Sequence, residues 1–88
     1  MAAYRVEVAT RARRDLERLA PSILERIYPI LTALGSDPRP SGSQKLVGLE
    51  AYRIRVGDHR VIYEIDDATR IVVVVRVRHR REVYRTLR

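Results

Sequence analysis

Arginines at alternating positions dominate the last forty residues of the chain. Five of them fall on the polar side of three predicted strands: Arg53, Arg55, Arg60, Arg76 and Arg78. Like charges on neighbouring strands destabilise a sheet, so a chain that repeats one sign on one face is expected to bind an anion there. The planar guanidinium group suits the oxygens of a phosphate. The pattern therefore predicts a phosphate-binding surface.

Two hairpins are predicted to position these arginines. In the first strand, Tyr52, Ile54 and Val56 alternate with arginines, which is typical of a half-buried strand. The dipeptide Gly57-Asp58 is a two-residue turn signal. This turn places Val56 opposite His59 and Arg55 opposite Arg60.

The third strand of this region is predicted from Ile71 to Arg78. Its core face is assigned to alternate residues: Ile71, Val73, Val75 and Val77. If Val61, Tyr63 and Ile65 share that face, the turn around Asp66–Arg70 must contain an odd number of residues, three or five.

The first half of the chain predicts one strand and two helices. Tyr4 to Val8 alternates and reads as a strand, and Thr10 is the expected N-cap of a helix that extends to Ala20. Pro21 is expected to end that helix. A capping box of Ser22 and Glu25 then opens a second helix, whose apolar stripe comprises Ile23, Ile27, Ile30, Leu31 and Leu34.

Two further signals shape this second helix. Pro29 removes one backbone hydrogen bond at a cost of about 3 kcal/mol in a regular helix, so a kink or break is expected near Tyr28. Gly35 is the expected stop, and Gly35–Gln44 is predicted to be a loop by its composition.

Composition limits the class of protein. A chain of 88 residues with 45% hydrophobic residues predicts a single domain, residues 1–88. The net charge of +7 favours an acidic partner such as nucleic acid. Without cysteine, a clustered metal motif, a signal peptide or a long apolar run, we expect a cytoplasmic protein with no cofactor, metal or membrane association.

The predicted architecture is α+β. An N-terminal strand and a helical hairpin are expected to pack on one face of a small, mainly antiparallel four-stranded sheet, and a short C-terminal helix follows. Because no other element is available to cover it, the opposite face with the arginines is expected to stay open.

The run KLVGLEAYRIRVGDHRVIYEIDD and the later VVVVRVRHRREVYR resemble toxins of the RelE/ParE superfamily of bacterial type II toxin–antitoxin systems. The resemblance implies a RelE-like fold and a cognate antitoxin, with operator DNA contacted only through that antitoxin. Members of the RelE branch are metal-independent endoribonucleases that cut mRNA in the ribosomal A site, which inhibits translation and arrests growth. Members of the ParE branch poison DNA gyrase instead.

The resemblance also assigns a site. Its basic pair corresponds to Arg53 and Arg55, and its next arginine to Arg60. The arginine before the terminal helix is Arg80, or Arg78 if the gap is placed differently, and the closing tyrosine is Tyr84. The best-known members have lysines at the first pair. Because arginine does not lose its proton in proteins, a lysine-type general base is absent here.

The implied chemistry is attack of a 2′-hydroxyl on the adjacent phosphorus. Arg60 and Arg80 would stabilise the charge of the phosphorane, and Tyr84 would transfer the proton, with Glu64 or His79 as substitutes. The residues assigned to bind RNA phosphates are Arg53, Arg55, Arg76, Arg78 and Lys45. A gyrase poison and a catalytically inactive module that binds an antitoxin or the ribosome are the alternatives.

Overall fold

A computed structural model describes residues 3–47 and 50–81. Within these residues the elements in chain order are β1 (Arg5–Val8), α1 (Thr10–Glu17), α2 (Pro21–Ala33), β2 (Gln44–Lys45), β3 (Ala51–Val56), β4 (His59–Asp66) and β5 (Ile71–His79). The five strands form one sheet in the order β1-β5-β4-β3-β2. β1 runs parallel to β5, and the other pairs are antiparallel. The α+β class is confirmed, whereas the predicted number of four strands is wrong.

The additional strand is β2. Gln44 pairs with Arg53 and Lys45 pairs with Tyr52, so the segment predicted as loop ends in a strand. The strand has only two residues, and its partner lies nine residues further along the chain. The composition of this segment gives no signal for that pairing, so the sequence did not predict the strand.

The β3–β4 hairpin forms as predicted. Val56 pairs with His59 and Arg55 with Arg60. Gly57 has φ of 60°, a conformation that glycine adopts without steric cost and that a two-residue hairpin turn requires.

The register of β5 differs from the prediction. Asp66 pairs directly with Ile71, so the turn contains four residues, and a bulge between the pairs Ile62–Arg76 and Tyr63–Val74 leaves Val75 as the extra residue. The buried residues of β5 are therefore Val72, Val74 and Val77, at 0%, 0% and 3% exposure. The prediction was right at Val77 and wrong at three positions, namely Ile71, Val73 and Val75. Residues 72–75 are four successive valines, with no alternation of apolar and polar residues. The sequence therefore gives no sign of where the inward-facing positions shift by one residue.

The helix boundaries also shift. Ala9, not Thr10, is the N-cap residue of α1, and the helix ends at Glu17 instead of Ala20. Pro21 opens α2 after the N-cap residue Ala20, and no side-chain cap is formed, so the predicted capping box of Ser22 is wrong. Proline suits the first turn of a helix because the backbone N–H that it lacks would have no partner there.

The second helix continues through Pro29 without the predicted break. Its neighbours on the buried face, Ile27 and Leu31, are 0% and 5% exposed. Their burial in the core stabilises the helix on both sides of the proline, which offsets the missing hydrogen bond.

One core lies between the helices and the sheet. Side chains of both helices pack on the inward-facing residues of β3, β4 and β5, and the members of this cluster are Ala12, Leu16, Ile27, Leu31, Leu34, Ile54, Val61, Tyr63, Val72, Val74 and Val77. We call this side of the sheet the helix face and the other side the open face. The helical hairpin on one face is confirmed. The predicted C-terminal helix falls largely on residues 82–88, outside the described residues.

Candidate nucleic-acid interface

Strand pairing collects the predicted arginines on the open face. Directly paired residues point to the same side of a sheet, so Arg55, Arg60 and Arg78 form one row across β3, β4 and β5. Arg53 and Arg76 lie in the neighbouring row, one on each side of Ile62. All five arginines thus start from one face, as their spacing predicts.

Three of these arginines line a common cavity. Arg53, Arg55 and Arg60 surround a space of about 180 Å³ together with Gly42 and Gln44, and we call it the arginine cavity. The cavity is open to solvent and has room for a small anion.

Neutral acceptors orient the three guanidinium groups. Arg53 donates from Nε and Nη2 to Oε1 of Gln44, at 3.1 and 2.8 Å. Arg55 donates from Nε to the carbonyl oxygen of Gly57 at 3.2 Å, and Arg60 from Nη1 to that of His59 at 3.4 Å. None of the three pairs with a carboxylate of the described residues, so their positive charge stays available to a ligand.

Arg76 is held differently. Its Nε and Nη2 donate to Asp15 of α1 at 2.9 and 3.3 Å, and the same carboxylate accepts from the backbone N–H of Val77 at 2.9 Å. Burial opposes ionisation of Asp15, but these hydrogen bonds and the charges of Arg76 and Arg78 lower its pKa below the usual value. Asp15 therefore compensates the charge of Arg76 and joins α1 to β5.

Two other predicted site residues lie away from the cavity. Arg80 donates its backbone N–H to the carbonyl oxygen of Asp58 at 2.8 Å, and its Nε lies 3.9 Å from the Asp58 carboxylate. Lys45 pairs with Tyr52 on the helix face, and its Nζ lies 3.6 Å from Glu50. Neither of them is among the residues that line the arginine cavity. Tyr84 lies outside the described residues.

The two substitute proton-transfer residues fall on opposite faces. Glu64 pairs with Ala51 and Val73 on the open face, one row from Arg53. His79 belongs to the helix face, where its ring meets His59 edge-on at a centroid distance of 5.4 Å. Only Glu64 shares a face with the arginine cavity.

The loop before β2, which supplies Gly42, is anchored at several points. Arg39 donates to both carboxylate oxygens of Asp67 and to the hydroxyl of Tyr52, and Tyr4 also donates to Asp67. The hydrogen bonds from Arg39 and Tyr4 lower the pKa of Asp67. The buried Tyr63 donates to the carbonyl oxygen of Pro38 at 2.8 Å, which fixes the start of the loop.

Sequence reasoning missed three contributors. Gln44 orients Arg53, but it was assigned to a loop. Asp15 engages Arg76 across 61 positions of sequence, and no local pattern signals such a contact. His59 and His79 form a cross-strand pair, which the sequence analysis did not predict because the register between β4 and β5 was left open.

Among the described residues, no group of three or more His, Cys, Asp or Glu side chains could hold a metal ion. No helix among those residues is long and apolar enough to cross a membrane.

The fold and the basic face agree with a known family of proteins. Residues 6–84 match the family described as the ParE toxin of the type II toxin–antitoxin system parDE. The chain is also similar to the toxin RelG of Mycobacterium tuberculosis, with 37% identity over 93% of this chain and 97% of the relative. The chain therefore belongs to the RelE/ParE family of toxins, and the resemblance that the sequence motifs indicate is confirmed.

Solved structures agree with this family. The toxin–antitoxin complex RelBE2 of Mycobacterium tuberculosis contains a chain that matches with a TM-score of 0.79 and 34% identity, over 88% of this chain and 98% of that one. The archaeal RelE–RelB complex of Pyrococcus horikoshii matches with a TM-score of 0.80 and 26% identity, over 89% and 96%. The first structure is a toxin–antitoxin complex, and the second is a complex of RelE with RelB.

Proposed function

We propose that this toxin is a ribosome-dependent endoribonuclease that acts in the cytoplasm and inhibits translation by cutting mRNA in the ribosomal A site. The observation that carries the proposal is the arginine cavity, where Arg53, Arg55 and Arg60 converge without a carboxylate partner among the described residues. The similarity to RelG and to the toxin of RelBE2 supports the RelE branch.

In this proposal the RNA supplies its own nucleophile. The 2′-hydroxyl attacks the adjacent phosphorus, its proton leaves to a base, and the 5′-oxygen departs with a proton from an acid. Arg60 stabilises the negative charge that the phosphorane gains, because a fixed guanidinium interacts more strongly with the transition state than with the substrate. Arg53 and Arg55 hold the flanking phosphates.

The remaining assigned residues take distinct parts. Tyr84, the closing tyrosine that the resemblance assigns, transfers the proton, because a guanidinium group beside a phenol would favour the phenolate form. Glu64 is a better substitute than His79 because it lies on the open face. To act on the phosphorane, Arg80 has to exchange Asp58 for the RNA.

A cognate antitoxin is the proposed partner that neutralises the toxin. The relatives in the RelBE2 and RelE–RelB structures are bound to antitoxins. We infer that an antitoxin with acidic and apolar residues covers the open face and blocks RNA, and that operator DNA is reached only through it. The isolated toxin should bind ribosomes, and the complex should not.

Induced expression in a bacterial host, with mapping of mRNA 5′ ends, tests the proposed activity. We expect translation-dependent cuts within coding frames for the wild type and for Arg13→Ala, an exposed arginine of α1 used as the control. Arg60→Ala and Tyr84→Phe should produce no cuts above background. Intact messages in arrested wild-type cells would contradict the proposal.

A gyrase poison is the second candidate, because the matching family description names the ParE toxin. Purified gyrase with supercoiled plasmid separates the two functions. The ribonuclease leaves the plasmid intact, whereas a gyrase poison traps broken DNA. A catalytically inactive module would produce neither cut messages nor broken plasmid.

A further inference from the structure

Two histidines that are twenty positions apart meet at one end of the sheet. His59 and His79 form a cross-strand pair, and their rings contact edge-on at 5.4 Å and 89°. They lie on the helix face, where α1 ends and α2 begins. Both are partly buried, so the pair is held in place and still reaches solvent. The proposed cleavage chemistry makes no use of it.

Cavities flank this histidine pair on two sides. One of about 260 Å³ is lined by both histidines together with Arg18, Arg76 and Arg78. The other, also about 260 Å³, is lined by both histidines, Arg26 and Asp58. Each cavity is larger than the arginine cavity, and basic side chains from a helix border both.

Positively charged side chains outnumber negatively charged ones around the histidine pair. The charged groups that face it are Asp15 and Arg18 from α1, Arg26 from α2, Asp58 from the β3–β4 turn, and Arg76 and Arg78 from β5. Asp15 is engaged with Arg76, and Asp58 lies 3.9 Å from Arg80. Arg18 and Arg26 pair with no carboxylate of the described residues, so the surroundings are electropositive.

Arg26 is placed by close packing on the hairpin turn. A Cβ atom at Gly57 would lie 3.1 Å from Nη1 of Arg26, so glycine at this turn admits the guanidinium group. The turn that accepts a hydrogen bond from Arg55 thus also lies against Arg26, which lines a cavity with both histidines.

Arg78 links the two basic sites. It pairs in register with Arg60, which lines the arginine cavity, and it also lines the cavity beside the histidines. The two basic sites therefore adjoin at Arg78 and its register partner Arg60.

We propose that His59, His79, Arg18 and Arg26 form a second phosphate-binding site, which takes a backbone phosphate of the RNA whose neighbouring segment lies in the arginine cavity. The inference rests on the proposed function, because that function supplies RNA as the ligand. Imidazoles donate hydrogen bonds and the two arginines supply fixed charge, a combination suited to a phosphate dianion or diester.

Binding of a short RNA with 2′-O-methyl groups tests the inference without cleavage, because the nucleophile is blocked. Fluorescence anisotropy would compare Arg18→Gln with Arg13→Gln, a substitution of equal charge that lies about 140° around the same helix. We expect Arg18→Gln to lower affinity about three- to tenfold and the salt slope by about 0.7, as for one lost phosphate contact. Arg13→Gln should change affinity less than twofold. Equal effects of the two substitutions would overturn the site.

The histidines give an independent readout that needs no variant. Their imidazole C–H resonances should shift when the methylated RNA is added to the wild type. Unmoved resonances would overturn the inference. Resonances that move with inorganic phosphate but not with RNA would show an anion site outside the RNA path and would also overturn it.

Failure of this inference can be distinguished from failure of the proposed function. Arg53→Ala with Arg55→Ala should abolish RNA binding if the arginine cavity holds RNA. If that variant loses binding while Arg18→Gln does not, only the second site is wrong. If neither affects binding, RNA is not the ligand of this surface and both proposals fail.

Discussion

The partners of each arginine decide whether its charge can act on a ligand. Arg53, Arg55 and Arg60 donate to amide or carbonyl oxygens, which orient the guanidinium groups and leave their charge intact. Arg76 donates to a carboxylate and is compensated. Arginines at alternating positions thus serve two purposes: some offer their charge to a ligand, and one pairs with a carboxylate of the protein. Their spacing in the sequence does not distinguish the two.

Gln44 is expected to control the orientation of Arg53. Replacing it with Ala removes both hydrogen bonds to that guanidinium group, which should lower the rate of mRNA cleavage roughly tenfold through poorer positioning. Stability should change by no more than about 0.5 kcal/mol, because Gln44 is exposed. Cleavage by programmed ribosomes and urea denaturation would measure the two effects.

Arg13→Ala, at an exposed arginine of α1, is the control. It should retain wild-type cleavage. In an Arg53→Ala background, Gln44→Ala should have no further effect, because its partner is already missing. A full tenfold loss in that background would show that Gln44 acts independently of Arg53.

At the scale of elements, Asp15 is the main polar link between α1 and β5. Its side chain is 11% exposed and accepts from the Arg76 guanidinium and the Val77 backbone N–H. Beyond β1 this edge of β5 has no strand partner, because the β1 pairing ends at Val74. The carboxylate therefore satisfies a backbone donor that the sheet leaves unpaired.

We predict that Asp15→Ala lowers the free energy of unfolding by about 1.5–3 kcal/mol, the usual range for hydrogen bonds to a charged group. Urea denaturation measures this change. Glu17→Ala, an exposed acid on the same helix, is the control and should have an effect below about 0.5 kcal/mol. Equal losses for both variants would show that helix charge, and not the specific contact, is responsible.

The contribution of Asp15 should also depend on pH. Its folded-state pKa lies below the usual value of 3.8, so the carboxylate contributes stability above that value and loses it as the pH falls through the folded pKa. The difference in unfolding free energy between the wild type and Asp15→Asn should therefore be constant from pH 7 to 5 and shrink below pH 4. A difference that grows on acidification would contradict this assignment.

The sequence predicted the elements whose signals are local. Alternation in Tyr52 to Val56 and the Gly57-Asp58 turn together determined the β3–β4 register, including the facing arginines. The bulge at Val75 and the short strand β2 depend on contacts made by distant residues. The basic face could thus be predicted. The orientation of Arg53 by Gln44 and the pairing of Arg76 with Asp15 could not.

At the scale of the whole molecule, the sheet separates stability from ligand contact. The helix face holds the core, and the open face carries a charge gradient. The arginine rows occupy one end, while the other end has a cavity of about 570 Å³ lined by acidic and apolar residues, namely Glu7, Glu50, Glu64, Ile65, Asp66, Asp67, Thr69, Ile71 and Val73. Such asymmetry steers an anionic ligand toward the arginine end and orients it there.

The chain has a net charge of +7, and its basic residues are one lysine and seventeen arginines. Because arginine keeps its proton, the positive surface persists across the physiological pH range, and proton transfer in the proposed reaction has to involve another kind of group. Tyr84 is the group assigned to that step.

The most direct test of the account is single-turnover cleavage of mRNA by the purified toxin on programmed ribosomes. We predict a cut in the A-site codon that leaves a 5′-hydroxyl, no cut when the nucleotide before the scissile phosphate is 2′-deoxy, and a rate about 100- to 1,000-fold lower for Arg60→Ala. Arg13→Ala should cleave like the wild type. Cleavage of the deoxy substrate, full activity of Arg60→Ala, or an uncut wild-type reaction would each contradict the assignment of the arginine cavity as the catalytic site.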